Sequence, residues 1–174
     1  MSEFSDLLVG LAEVAIALAG FSAVVIVLRR SAQGQWDVAS ADRFHGMIIH
    51  AIAAVAFAFL PSIIDVVVQD VTTTLHIACA ILGVQILVHC GAVAFMSSNT
   101  GLARLAMLIG ALIGLLQFGV FTDWGLQREL AIYVVGIIWH ILQAGTLFVL
   151  LIWIRADQIA PATAAETIKS NQDG

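Results

Sequence analysis

Several imidazole, carboxylate and amide side chains interrupt long apolar stretches of this 174-residue sequence. They are Glu13, His50, Gln85, His89, Gln117, His140 and Gln143. Such groups are rare inside membrane-spanning helices, where they usually face the interior of a helix bundle or a water-filled cavity. Histidine and glutamate can take up and release protons, and amide oxygens can coordinate cations. Their types therefore predict proton transfer or cation passage.

The spacing of these groups places them on defined helix faces. Gln85 and His89 are four residues apart, and His140 and Gln143 are three apart, so each pair shares one face of a helix. At a rise of about 1.5 Å per residue, Gln85, His140 and Gln143 fall near the middle of the membrane. If the small or polar faces of the five helices converge, polar groups run from the outer to the inner side of the bundle.

Small residues accompany the polar ones and predict close helix packing. Gly110 and Gly114 form a GxxxG motif in the fourth apolar run, and Gly10 and Gly20 lie on the glutamate-bearing face of the first run. Glycines allow helix backbones to approach closely in lipid, where packing drives association. We expect these four glycines to pack helices together, within one protomer or between copies.

A hydrated path for protons or a small inorganic cation is the function that this pattern favours. The predicted path residues are Glu13 as the outer carboxylate, the amides Gln85, Gln117 and Gln143, and the relay histidines His50, His89 and His140. The alternative is that these groups hydrogen-bond across helices and only fix their packing. For Glu13 the functional and structural interpretations stay equally open.

A second alternative is an electron carrier with a haem b. His50 and His89 lie on different runs at similar depth, so they could be axial ligands, with Arg43 or Arg104 near the propionates. No other cofactor and no metal site is expected, because no ligand pair has Glu-x-x-His spacing. Metalloprotease, hydrolase and phosphate-loop motifs are absent from the sequence, so we expect no catalytic residues and no enzyme activity.

The elements that must position these residues are transmembrane helices. The chain is 61% hydrophobic and 11% charged, with a mean hydropathy of +1.02, which predicts an all-α membrane bundle. Five runs are long enough to span a bilayer, at residues 7–28, 44–68, 72–96, 102–121 and 130–154. Residues 156–174 form a polar tail. Pro61 lies inside the second run and should leave the Phe57 carbonyl without its helical partner.

Charge sets the predicted orientation and partners. With the N-terminus outside and the tail in the cytoplasm, six of the seven Lys and Arg residues lie on the cytoplasmic side. The net charge of −5 argues against a nucleic-acid partner. The lipid bilayer and further copies of the chain are the expected partners.

The Ala-, Gly- and Val-rich composition is similar to that of bacterial inner-membrane proteins and predicts that location. A third alternative function is an accessory or scaffold subunit of a membrane complex, in which Glu13 contacts a partner.

Overall fold

The fold is an all-helical bundle, as the sequence predicts. The computed structural model describes residues 2–33, 38–96, 101–122 and 128–153. Its helices are α1 (Ser2–Gln33), α2 (Val38–Val68), α3 (Val71–Met96), α4 (Gly101–Phe121) and α5 (Glu129–Trp153). The helices match the five predicted runs, but α1 and α2 extend beyond them. The predicted tail, 156–174, lies outside the described residues.

A tight connection of two residues joins α2 to α3. Gln69 has a left-handed backbone (φ 55°), and its N–H donates to the Asp65 carbonyl at 3.0 Å, which ends α2. Asp70 then caps α3, because its Oδ2 accepts from the Thr73 N–H at 2.8 Å. Hydrogen bonds from the side chain and the backbone N–H of Thr73 lower the pKa of the Asp70 carboxyl, which is fully exposed. The cap fixes where α3 begins.

All five helices are long and apolar enough to cross a membrane. Large apolar side chains cover the outside of the bundle; Leu108 is 69% exposed and Val67 is 83% exposed. Exposed apolar surface on this scale is unfavourable in water and normal against lipid tails. The structure therefore indicates a multi-pass membrane protein.

Helix α5 holds the bundle together. It contacts each of the other four helices, and α3 contacts α2, α4 and α5. Helix α1 packs only on α2 and α5, and α4 packs only on α3 and α5. Among the described residues, the backbones of α2 and α4 do not approach each other. The arrangement leaves a space between α2 and α4 that α3 and α5 border.

Glycines bring α3 and α4 into close contact. A Cβ atom added to Gly83 would lie 3.0 Å from the Gly114 carbonyl oxygen, and one added to Gly110 would lie 2.7 Å from Cys90 Sγ and 2.9 Å from the Trp139 ring. Side chains at these positions would force the helices apart. The GxxxG motif of α4 therefore packs inside the protomer, with Gly83 as its counterpart on α3.

Pro61 removes a hydrogen bond from α2, and a side chain of α5 replaces it. The helix continues through Pro61, but proline has no N–H to donate to the Phe57 carbonyl one turn earlier. The hydroxyl of Tyr133 donates to that carbonyl at 2.6 Å. Tyr133 is the only tyrosine of the chain and is fully buried. The bond joins α2 to α5 within the core.

Candidate functional site

Three histidines from three helices meet inside the bundle. His50 of α2, His89 of α3 and His140 of α5 lie in contact: the His50 ring centroid is 4.6 Å from that of His89 and 5.3 Å from that of His140. His50 is 4% exposed and His140 is 1% exposed, whereas His89 is half-buried. We call these residues, together with Gln85, the histidine cluster.

Hydrogen bonds order part of the cluster into a chain. His50 Nδ1 and His140 Nδ1 are 3.0 Å apart, and His140 Nε2 is 2.9 Å from Gln85 Oε1. In this orientation of the Gln85 amide the oxygen faces His140, and because that oxygen only accepts, His140 Nε2 is assigned the proton. In a neutral His140 ring, Nδ1 is then the acceptor and His50 Nδ1 is the donor. A neutral His50 therefore keeps its Nε2 as a hydrogen-bond acceptor.

Aromatic packing covers one side of the cluster. The Phe57 ring stacks on the His140 ring at a centroid distance of 5.9 Å and an interplanar angle of 11°. Phe57 is the residue whose carbonyl Tyr133 holds. The Phe57 backbone that carries this ring is therefore held by the hydrogen bond from Tyr133 of α5, in place of the N–H that Pro61 lacks.

A cavity of about 300 Å³ lies beside the cluster. It occupies the space between α2 and α4, and residues of α3 and α5 complete its wall. His50, His89 and Gln143 contribute polar groups to its wall. The rest of the wall is apolar apart from Thr146 and comprises Gly46, Cys90, Val93, Ala103, Ala106, Met107, Trp139, Leu147 and Leu150. The cavity is partly open to the outside of the bundle. Of the polar residues predicted from the sequence, Gln143 thus lies in the cavity wall together with His50 and His89.

Gln117 lies apart from the cluster. It is fully buried, and its Nε2 donates to the Ile132 carbonyl of α5 at 2.6 Å. Its Oε1 is buried without a hydrogen-bond partner among the described residues. A Cβ atom added to Gly136 would lie 2.7 Å from Gln117 Nε2. The amide thus joins α4 to α5 where glycine leaves room for it, and it does not reach the cavity wall.

Glu13 faces away from the other helices of its own protomer. Its side chain is exposed, whereas Leu8, Ala12 and Ala15 form the buried face of α1. At about 100° per residue, Glu13 lies on the opposite side of the helix from Ala15. Alanine supplies the core contact of α1, and the glutamate face lies on the outside of the protomer. A role for Glu13 in an ion path therefore stays a prediction.

The predicted packing glycines of α4 are buried between helices, whereas those of α1 are not. Gly110 and Gly114 are buried against α3, and Gly110 also meets α5 through Trp139. An added Cβ at Gly10 or Gly20 would meet no described atom within 4 Å. Within the protomer, therefore, only the α4 pair brings helices together.

The ring geometry of the cluster bears on the haem alternative. The His50 and His89 rings are in edge contact, with an interplanar angle of 79°, so no macrocycle could lie between them. Hydrogen bonds engage both nitrogens of His140 and one of His50. In the part of the chain that the structure describes, no three His, Cys, Asp or Glu residues are arranged to hold a metal ion.

Sequence reasoning missed the stacking of the Phe57 ring on His140 and the hydrogen bond from Tyr133 to the Phe57 carbonyl. Tyr133, Gly136 and His140 are spaced by three, four and seven residues and so share a face of α5, a signal that was available. Pro61 identified the Phe57 carbonyl as unpaired, but no local pattern showed that the Phe57 ring would stack on His140. Ala106 carries no such signal, because small residues are common in apolar helices.

Comparisons of the chain with protein-family models, curated proteins and solved structures found no match. The five apolar helices define the class, a helical multi-pass membrane protein. What it does has to follow from the histidine cluster, the cavity and the exposed glutamate.

Proposed function

We propose that this protein moves protons through the membrane bundle, with the histidine cluster as the relay. The observation that carries the proposal is the hydrogen-bonded chain from His50 through His140 to Gln85. A proton arriving at His50 Nε2 makes that ring a double donor. Its Nδ1 proton can then pass to His140 Nδ1 over a hydrogen bond that is already formed. Buried polar groups in membrane helices are expensive, which favours a functional reason for three histidines.

A gated path fits this arrangement better than an open pore. The cavity reaches the cluster from one side through His50 and His89. Leu82 and Ile86, near Gln85 along α3, and Ile137, one turn before His140 in α5, are buried and apolar. Apolar constrictions block ions and water until they widen. The proposed transfer therefore requires a second conformation that opens this region, as in a transporter or a gated channel.

The test is proton flux into proteoliposomes that contain a trapped fluorescent pH indicator. The wild type should carry flux above protein-free liposomes under an imposed proton gradient. His140→Gln keeps a hydrogen-bonding side chain but cannot relay a proton, so its flux should fall to the protein-free level. His76→Gln is the matched control, because His76 is half-buried in α3 outside the cluster, and it should leave the flux unchanged.

Two further arms separate the remaining interpretations. A potassium gradient tests whether a small cation can replace the proton. Glu13→Gln keeps the size of the side chain and removes its charge, so unchanged flux would assign Glu13 a role outside the path. If the wild type carried neither proton nor potassium flux above protein-free liposomes, the transport proposal would be refuted.

The second candidate function is that of an accessory or scaffold subunit, and the exposed position of Glu13 favours it. A carboxylate at membrane depth is unfavourable against lipid tails unless another group pairs with it or it is protonated. Gly10, Ala17 and Gly20 on the same face would let another helix approach closely. A second copy of the chain, or a different membrane subunit, would remove Glu13 from lipid.

Cross-linking tests the version with a second copy. Ala17→Cys on the Glu13 face of α1 should form a disulfide-linked dimer in oxidised membranes, because a close crossing brings two such cysteines within disulfide range. Leu112→Cys, on the lipid face of α4 where Leu112 is 59% exposed, is the control and should remain monomeric. Equal cross-linking of both variants would show random collision and would argue against a specific interface.

A further inference from the structure

The cavity has the size of a binding site for a small organic molecule. Its volume is about 300 Å³, at the lower end of the range for ligand pockets. An apolar cavity of about 150 Å³ holds one benzene ring. The cavity therefore has room for a substituted ring, or for the end of an acyl chain.

The wall chemistry favours a mostly apolar occupant over water. Aliphatic and sulfur-containing side chains from α3, α4 and α5 make up most of the wall. A water molecule needs two to four polar partners to remain in a cavity. The polar side chains of the wall are His50, His89, Gln143 and Thr146, and Trp139 adds an indole N–H. Such a wall suits a molecule with an apolar body and one polar group.

The histidine cluster determines which polar group fits. The Gln85 oxygen fixes the His140 proton on Nε2, and the bond between the two Nδ1 atoms then leaves His50 Nε2 as an acceptor. His50 is part of the cavity wall. An occupant that donates an O–H to this nitrogen would complete the hydrogen-bonded chain. An occupant that only accepts would leave the nitrogen unpaired in an apolar cavity, which is unfavourable.

We propose that this cavity binds a neutral, lipid-soluble hydroxyl compound, a phenol or a protonated fatty acid, whose O–H donates to His50 Nε2. All of the wall residues lie within the candidate membrane spans, which suits a ligand that partitions into lipid. The proposal goes beyond proton movement. It shares His50 with the proposed relay, but binding is measured without a gradient, so either can fail while the other holds.

Tryptophan fluorescence of the full-length protein in detergent tests the binding. Replacing Trp36, Trp124 and Trp153 with Phe leaves Trp139, in the cavity wall, as the only reporter. The probes are 4-bromophenol and a bromodecanoic acid, whose bromine quenches a nearby indole. Their methyl ether and methyl ester are the matched compounds without the O–H donor. We expect saturable quenching by at least one of the two donors.

Two comparisons connect the quenching to the cavity and to His50. Ala106→Phe fills the cavity and should abolish saturable quenching, whereas Leu108→Phe on the lipid face of the same helix should retain it. The methyl derivative should bind roughly tenfold more weakly than its parent, because it leaves an acceptor unpaired. That difference should disappear in His50→Leu. The wild-type comparison of parent and methyl derivative stands even if His50→Leu does not fold.

The outcomes separate the two ligand sources and can overturn the proposal. Saturable quenching by bromophenol alone would assign the site to a phenolic ring, and quenching by the bromo-acid alone would assign it to a fatty acid. Quenching that rises linearly, with the same slope in Ala106→Phe, would show only partition into detergent. Equal affinity for the parent and methyl derivatives would refute the role of His50. Either of these last two results would overturn the proposal.

Discussion

The hydrogen bond between the Tyr133 hydroxyl and the Phe57 carbonyl should stabilise the bundle because α2 cannot satisfy that carbonyl. The distance is 2.6 Å, and Pro61 lacks the N–H that would otherwise donate to Phe57. Tyr133→Phe removes the donor and leaves a buried carbonyl without a partner. An unpaired buried group costs about 1–3 kcal/mol, but measured couplings between membrane helices reach only about 1.7 kcal/mol. We therefore expect a loss of about 1–1.5 kcal/mol in the free energy of unfolding.

A thermodynamic cycle with Pro61→Ala tests the cause of this loss. Alanine at position 61 restores a backbone N–H that can donate to the Phe57 carbonyl. In that background, Tyr133→Phe should cost less than about 0.5 kcal/mol, giving a coupling of roughly 1 kcal/mol between the two positions. The assay is reversible unfolding in mixed micelles with increasing SDS, followed by far-ultraviolet circular dichroism.

A hydroxyl on the same helix provides the control. Thr146 Oγ1 donates to the Leu142 carbonyl at 2.8 Å, but that carbonyl can also accept the helical N–H of Thr146. Thr146→Val should therefore cost less than about 0.5 kcal/mol. If the effects of Pro61→Ala and Tyr133→Phe were additive within about 0.3 kcal/mol, the explanation through the orphaned carbonyl would be refuted.

Two further predictions concern helix packing and the turn between α2 and α3. Gly83→Ala should lower the Tm in detergent, because the added Cβ would lie 3.0 Å from the Gly114 carbonyl oxygen. Gly91→Ala in the same helix is the control: its Cβ would meet no described atom within 4 Å, so the Tm should stay equal or rise. An equal loss of Tm at both positions would contradict the packing explanation. Asp70→Ala should lower the Tm at neutral pH by removing the cap of α3. Because the pKa of Asp70 is lowered in the folded state, this stabilisation is complete above the unfolded pKa and is lost as the pH falls through the folded value. The Tm difference between wild type and Asp70→Ala should therefore shrink in acid, and a constant difference would argue against the charged cap.

The amino-acid sequence by itself determined the helices and the depth of the polar groups. Apolar run length is set by the thickness of the bilayer, so five spans follow from hydropathy and agree with the five helices. A fixed rise per residue places His50 and His89 at similar depth, and the structure brings their rings into contact. Pro61 identifies the Phe57 carbonyl as unpaired through backbone chemistry alone, but not the side chain that would satisfy it.

Only the tertiary structure decided how each helix is rotated. Lipid tails are as apolar as leucine, so an apolar face gains nothing by choosing the bundle over the bilayer, and van der Waals fit decides which face packs. That fit buries Ala12 and Ala15 of α1 and turns Glu13 outward. It also pairs His140 with His50. The cavity follows from the separation of α2 from α4, a relation between distant segments that no local pattern encodes.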